Sequence, residues 1–414
     1  MATLKPFRAL RPDPKKAKDI CAPPYDVLSS QEAREMAEGN PLSFLRVSKP
    51  EIELDPNVDP YSTEVYSHGA RNLRGMIDDG HLIQDEKPCY YIYRITMGEH
   101  RQTGLVALAS CEEYDRGIVK KHELTRPDKE DDRTRHINLL GAQTGNVFLS
   151  YRSVSSIDSV LADLSKGTPD YDFVADDGVR HEAWVISDDN DIREIEQSFL
   201  TVSTLYIADG HHRSAAASRV AKERQEANAH HTGEEPYNYF LTVTFPHNQV
   251  QILGYNRAVK DLNGHTAEEL LKKIEEVADV REIPEARQPQ KKDEVTFYMD
   301  GKWRSFTWLP TVLDHAQSAA ATLDVAVLQK EILGPYLGIG DPRVDKRVKF
   351  VGGIRGTREL EKLVDSGEWA VAFSMFPTSM RELMAIADEG GLMPPKSTWF
   401  EPKLRDGLMV HLID

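Results

Sequence analysis

Two polar clusters carry the residue types that chemistry needs. The first is TLYIADGHHRSAAASR, Thr204 to Arg219. Leu205, Tyr206 and Ile207 are apolar and β-prone, Asp209-Gly210 is a turn signal, and the alanines after Ser214 are strong helix formers. The polar residues therefore fall at a predicted helix N-terminus, where unpaired backbone N–H groups and the positive end of the helix dipole favour an anion. Arg213 adds a forked, permanently charged donor, and Gly210 lets the backbone approach a guest closely. Gly210, His211, His212, Arg213 and Ser214 are accordingly candidate phosphate contacts. The alternative is an exposed Asp-Gly turn whose histidines only cap a helix. Several titratable side chains at one strand-to-helix switch favour the ligand site, because ligands in α/β folds collect at such strand ends.

The second cluster is KHELTRPDKEDDR, Lys121 to Arg133, read as a loop directly after the strand-like GIV. A charged loop of this kind can be simply solvated. The order of its residues argues otherwise, since a His-Glu pair at a strand end is well placed for a general base or a magnesium ligand. HELTR is not the zinc-protease HExxH, because Arg126 stands where the second histidine belongs. Three further segments offer less. GGIRGTR, Gly352 to Arg358, precedes a helix expected to be capped by Thr357, but lacks the lysine and spacing of a P-loop. PPKSTWF presents Lys396, Ser397 and Thr398 after a rigid proline pair, as phosphate or substrate contacts. APPYDV sets Tyr25 and Asp26 behind two prolines, as a substrate contact or a packing corner.

Alternating strand-like and helix-like stretches must position these residues, which predicts an α/β (α+β) chain built on a mixed sheet. Residues 1–103 read as an N-terminal α/β region. A capping box of Ser29 with Glu32 opens a helix that Gly39 closes, and a second helix runs from Ser62 to about Gly80. CYYIYRI and TGLVALAS are strands. Residues 104–258 read as the core, with a helix from about Asp132 to Gly141, strands AWVIS and TLYIA around a charged helix, and the strand YNYFLTVTF. Residues 259–414 read as a C-terminal α/β region. It opens with a capping box of Thr266 and Glu269, followed by a hairpin tipped by Asp300-Gly301 and a βαβ-like stretch ending near Met375.

Composition excludes several classes. At 414 residues the chain is long enough for two or three cores. No run approaches the roughly 20 apolar residues that span a bilayer, and the N-terminus has no apolar signal region. A cytoplasmic, membrane-free protein is expected. Cys21, Cys89 and Cys111 show neither CxxC nor zinc spacing. With 51 basic against 67 acidic residues the formal charge is −16, which disfavours nucleic acid as a partner. Any phosphate site must therefore concentrate positive charge locally or recruit a metal.

PPYDV, NPLSFLRV, KHELTRPDKEDDR, IADGHHRSAAA and MPPKSTWFEPKL, in this order, resemble a widespread bacterial family known as a conserved domain of unknown function. Within it, GHHR is similar to the phosphate-contacting G-x-x-R turn of the ParB and sulfiredoxin superfamily. Members with DGHHR include free L-serine kinases, which make O-phosphoserine from serine and a nucleotide donor. The resemblance implies a ParB/sulfiredoxin-like mixed-sheet core and ATP or ADP with magnesium as cofactors. The expected substrate is a small molecule, a hydroxy-amino acid such as serine. Sulfiredoxin's catalytic cysteine has no counterpart, because His211 or His212 occupies its neighbourhood, and no helix-turn-helix follows the motif.

On this reading Gly210, His211, His212, Arg213 and Ser214 cradle phosphates. Glu123 is the base or the magnesium ligand, oriented by His122, and Asp209 is a second carboxylate near the metal. Asp132 and Arg133 hold the loop or the substrate. A non-catalytic nucleotide-binding regulator and a phosphohydrolase remain alternative readings of the same residues. The kinase reading requires Glu123 to stand beside the Gly210 turn; if the two segments lie apart, the turn keeps only its phosphate reading.

Overall fold

Apolar, β-branched and aromatic stretches build one large mixed sheet in the first part of the chain. Its strands are β1 (Leu4–Lys5), β2 (Tyr90–Met97), β3 (His100–Ser110), β4 (Val119–Lys120), β5 (Val147–Tyr151), β6 (Tyr171–Val174), β7 (Arg180–Ile186), β8 (Leu205–Asp209) and β9 (Tyr239–Pro246). They lie in the order β4-β8-β5-β9-β3-β2-β7-β6, with β1 alongside β3. The pairs β4/β8 and β5/β9 are parallel and the others antiparallel. The computed structural model describes residues 1–314 and 318–414, which divide into two units, Met1–Val250 with Pro402–Asp414, and Gln251–Glu401.

This division differs from the three segments read in the sequence. Strand β3 runs across the expected boundary at residue 103, and β2 and β3 form a hairpin with Met97 opposite His100. A turn that tight, with Gly98 at φ 58°, obliges the two strands to share a sheet, so the first two segments form one unit. The boundary expected at 258 falls inside the strand Tyr255–Val259. The last thirteen residues rejoin the first unit, where Asp406 bridges Ala22, Val410 bridges Leu10 and His411 pairs with Gln143.

Helices of the first unit follow their caps. The Ser29–Glu32 capping box opens α1 (Ser30–Met36), and the Ser62 side chain caps α2 (Thr63–Asp78). Helix α3 (Pro127–Leu140) starts on Pro127, whose missing N–H costs nothing at that position, and stops at Gly141 in the left-handed conformation. The DKEDDR half of the second cluster is therefore helical, not loop. Helix α4 (His211–Ala227) buries Ala215, Ala216, Ala217, Val220 and Ala221. Such small side chains let a helix lie close to both the sheet and its neighbour. Ala216 and Val220 pack with Ile137 of α3, Tyr237 and Ile413.

The second unit holds an antiparallel sheet of β10 (Tyr255–Val259), β11 (Ala278–Glu282), β12 (Glu294–Met299), β13 (Lys302–Trp308), β14 (Val348–Gly352) and β15 (Val371–Met375). The order is β11-β13-β12-β15-β10-β14. Asp300 and Gly301, both at positive φ, make the β12–β13 turn, as the hairpin reading requires. Gly352 and Gly353 serve packing: a Cβ there would meet the Trp399 ring at 2.7 Å and the Gly254 carbonyl oxygen at 2.4 Å respectively. The helix Gly356–Asp365 that follows begins after Arg355 without a side-chain cap, so Thr357 lies inside it.

Candidate functional site

Parallel pairing of β4 with β8 brings the two polar clusters together. Val119 lies opposite Leu205 and Lys120 opposite Tyr206, so both chains leave the sheet at the same edge. One continues into His122-Glu123, the other into Asp209-Gly210-His211. Gly210 holds φ 100°, and a Cβ on it would stand 3.3 Å from the Val147 Cα. Both facts require glycine. No side chain caps α4, which leaves its first-turn N–H groups directed out of the helix end.

The two segments also touch directly. The His122 backbone N–H donates to His211 Nε2 at 3.5 Å, and the Arg126 backbone N–H donates to His212 Nε2 at 3.1 Å. The His122 and His211 rings meet edge to face with centroids 4.4 Å apart. One donor atom each from His122, Glu123 and His211 lies within 4.8 Å of the others. Burial lowers the His122 imidazole to about 4, partly offset by the charge of Asp209 and a hydrogen bond with the Ile207 backbone. Burial likewise drives His211 well below its ordinary value, helped by His122. Both rings are therefore neutral at physiological pH, with lone pairs available. Burial opposes the charge on Asp209, but Lys403, whose Nζ lies 3.0 Å from Oδ2, and Arg213 overcome it and hold the carboxyl below the usual range.

Arg213 reaches into a neighbouring cleft. Its guanidinium donates to the Asn146 carbonyl at 2.6 Å and to both Asp26 carboxylate oxygens at 3.1 Å. The Tyr25 ring has the Arg133 guanidinium 3.9 Å from its centroid and that of Arg213 at 5.6 Å. Asp132 accepts two bonds from Arg133 at 3.0 Å and one from Tyr66 at 2.8 Å, fixing Arg133 against the ring. His136, Gly145 and Asp406 line the same cleft. Burial pushes the Asp406 carboxyl up to about 7, against the pull of Arg213. Around this cleft, Arg213 Nε, Asp406 Oδ1 and Ser48 Oγ are buried without a hydrogen-bond partner. Unsatisfied buried polar atoms are costly, so water or a guest's polar groups would have to meet them.

The structure thus places the sequence candidates in groups. His122, Glu123 and His211 form one cluster, with Asp209 beside it. Tyr25, Arg133 and Arg213 line the cleft, with Asp26 paired to Arg213 and Asp132 behind Arg133. Several expectations are corrected. Ser214 is fully buried and its hydroxyl lies 3.3 and 3.0 Å from the Gly210 and His211 carbonyls, so it ties the helix turn and does not face a phosphate. Asp209 is paired with Lys403, and the donor atoms that converge with Glu123 are those of histidines, so the expected Glu123–Asp209 magnesium pair is not what the fold gathers. His212 accepts from the Arg126 backbone and stands outside the His-Glu-His cluster.

Lys396, Ser397 and Thr398 belong to the second unit. There the Ser397 hydroxyl donates to the Pro394 carbonyl at 2.6 Å and the Lys396 ammonium lies 5.7 Å from the Tyr255 ring centre. Sequence reasoning missed Lys403 and Asp406, whose signal is a run of charges, KLRD, between otherwise strand-like tail residues. It also missed His136, whose Nε2 lies 3.1 Å from the Val47 carbonyl and which burial lowers to about 3.

Fold and site define an α/β protein in two units whose larger unit sets a His-Glu-His cluster and an arginine-lined cleft near the open end of one helix. The chain belongs to the family described as "Protein of unknown function (DUF1015)", whose model matches residues 4–326. No curated protein matches it. Among solved structures it is similar to a free serine kinase in complex with AMP, at 12% identity and a TM-score of 0.35, over 71% of this chain and 86% of that one. It is also similar to a conserved hypothetical protein from Pyrococcus furiosus, at 13% identity and a TM-score of 0.35, over 74% and 95% of the two chains. SbnI with a C-terminal truncation, from Staphylococcus aureus, is 12% identical with a TM-score of 0.37, over 74% and 87%. Among the described residues no helix is long and apolar enough to cross a membrane.

Proposed function

We propose that the protein is a nucleotide-dependent phosphotransferase acting on a small hydroxylated molecule, free L-serine first. The observation that carries this reading is the convergence of Glu123 with the uncapped start of α4 at one sheet edge, beside a cleft that contains two guanidinium groups. Phosphoryl transfer asks a protein mainly to position two reactants and to neutralise charge on the moving group. The first-turn N–H groups of α4 and Arg213 supply donors for phosphate oxygens. Arg133, Tyr25 and Asp26 present a charged and aromatic wall suited to an amino acid's ammonium and carboxylate.

In the proposed step the acceptor hydroxyl oxygen attacks the terminal phosphorus of ATP or ADP. The new O–P bond forms as the bond to the remaining nucleotide breaks, and the nucleotide departs one phosphate shorter. Glu123 supplies the carboxylate at the reacting end, as proton acceptor or as metal ligand, and a weak base suffices because the hydroxyl proton leaves late in a loose transition state. Magnesium keeps most of its ligands as water and phosphate oxygen, so Glu123 is a sufficient protein ligand for a nucleotide-borne ion, whose chemistry is charge neutralisation.

Incubation with L-serine, magnesium and ATP or ADP, followed by detection of O-phosphoserine, tests this. Turnover is expected, and Glu123→Gln is expected to lower it by about 100-fold or more with little change in melting. Nucleotide binding without turnover of any hydroxy-amino acid would instead identify a binding or regulatory protein, and phosphate release without acceptor a phosphohydrolase.

A further inference from the structure

We propose that His122, Glu123 and His211 form a resident site for a first-row transition-metal dication, zinc being the reference ion, distinct in kind from a nucleotide-borne magnesium. Two imidazoles and one carboxylate are the donor set of three-ligand catalytic zinc sites, which leave a fourth position open. Imidazole nitrogen suits zinc and its neighbours, whereas magnesium takes oxygen ligands. The inference goes beyond phosphotransfer and stands on donor geometry alone.

Geometry argues for it in three ways. The donor atoms lie within 4.8 Å of one another, and a tetrahedral ion with bonds of about 2.0–2.1 Å spaces its ligands at roughly 3.4 Å, a difference that small side-chain rotations close. Next, the His122 side chain is 2% exposed and its Nδ1 is buried with no partner. A buried imidazole nitrogen whose lone pair no protein group claims is what a ligating histidine presents. Finally, among the described residues the lone pair at His211 Nε2 is met by the 3.5 Å contact from the His122 N–H, a weak bond to forgo.

Charge is consistent with a cation here. The N-terminal end of α4 opposes a positive guest, but Glu123 contributes a ligating carboxylate and Asp209 a second negative charge acting on both rings.

The test uses the full chain, stripped with chelator and titrated with Co2+, whose visible absorption reports coordination by protein ligands. We expect saturable bands at one Co2+ per chain, displaced by equimolar Zn2+ and retained in a tenfold excess of Mg2+. His122→Ala should abolish the bands. Should that variant fail to fold, Glu123→Gln, at a partly exposed position, should weaken Co2+ binding by about 10-fold or more while melting as the parent does. Absence of saturable binding, survival of the bands in His122→Ala, unchanged affinity in Glu123→Gln, or displacement by Mg2+ at equal concentration would each overturn the proposal. No turnover is read, so this outcome and that of the serine assay are independent.

Discussion

Replacing Asp406 by Asn probes whether the cleft is built around a carboxyl group that resists ionisation. Burial raises this group from its ordinary 3.8 to about 7 in the folded chain. Unfolded, it loses its proton near pH 3.8; folded, near pH 7. Between those values the folded state binds more protons than the unfolded one, so this group's contribution to stability falls as pH rises and levels off above about 7. A displacement of about three pK units at 1.36 kcal/mol each amounts to roughly 4 kcal/mol over that window. Asn has no charge to bury, so Asp406→Asn should match the parent in acid and exceed it progressively towards neutrality. Between pH 5 and pH 8 about two of those units are traversed, roughly 2.7 kcal/mol, so at roughly 2 °C per kcal/mol for a unit of this size the gap in Tm should widen by about 5 °C. Any misfit of the amide shifts the variant's whole curve and leaves the pH-dependent difference intact. Scanning calorimetry of both proteins across that range is the assay. Two Tm curves that stay parallel would refute the reasoning, because they would mean that Asp406 ionises alike folded and unfolded.

Two other substitutions test the turn itself. Gly210→Ala forces a side chain onto φ 100° and to within 3.3 Å of Val147 Cα, and should cost about 1–3 kcal/mol in chemical denaturation; no measurable loss would show that the turn relaxes freely. Lys403→Met removes the partner of a partly buried Asp209 at 3.0 Å, and should destabilise the first unit by about 1–2 kcal/mol at neutral pH. The loss should shrink in acid as Asp209 protonates, and a loss independent of pH would point to packing instead.

Local signals in the sequence were read well where local physics decides. Ser29 with Glu32 and Thr266 with Glu269 form capping boxes in the structure, and Gly141 ends its helix in the left-handed conformation. The chemistry of DGHHR was also visible, because turn, glycine and helix formers are contiguous. What adjacency cannot show is which strand pairs with which. β4 is only two residues long, and its parallel alignment with β8 joins segments more than eighty residues apart.

Position at a predicted helix start makes Ser214 a candidate phosphate contact together with Gly210 to Arg213. In place, it is already one turn inside, where carbonyls of the preceding turn meet its Oγ. Lys396–Thr398 were chosen on composition, while Lys403 and Asp406, a few residues later, are the tail residues that reach the first unit's site. Nothing local distinguishes them, since the difference is which unit the chain has re-entered. Arg213 changes meaning too. Buried between Asp26 and Asn146, it holds the fold as well as any ligand, so its removal cannot leave stability untouched.

The return of residues 402–414 to the first unit also imposes a timetable. The 151 residues from Gln251 to Glu401 must all be translated before Lys403 can neutralise Asp209 and Asp406 can enter its cleft. At about 5–20 residues per second that delay is roughly ten to thirty seconds. Throughout it the nascent first unit carries Asp209 without its ammonium partner and the Leu10 edge without Val410. Completion of the site is thereby tied to completion of the segment that carries Lys403 and Asp406, and a ribosome that stalls within the second unit releases a chain that cannot assemble the pocket.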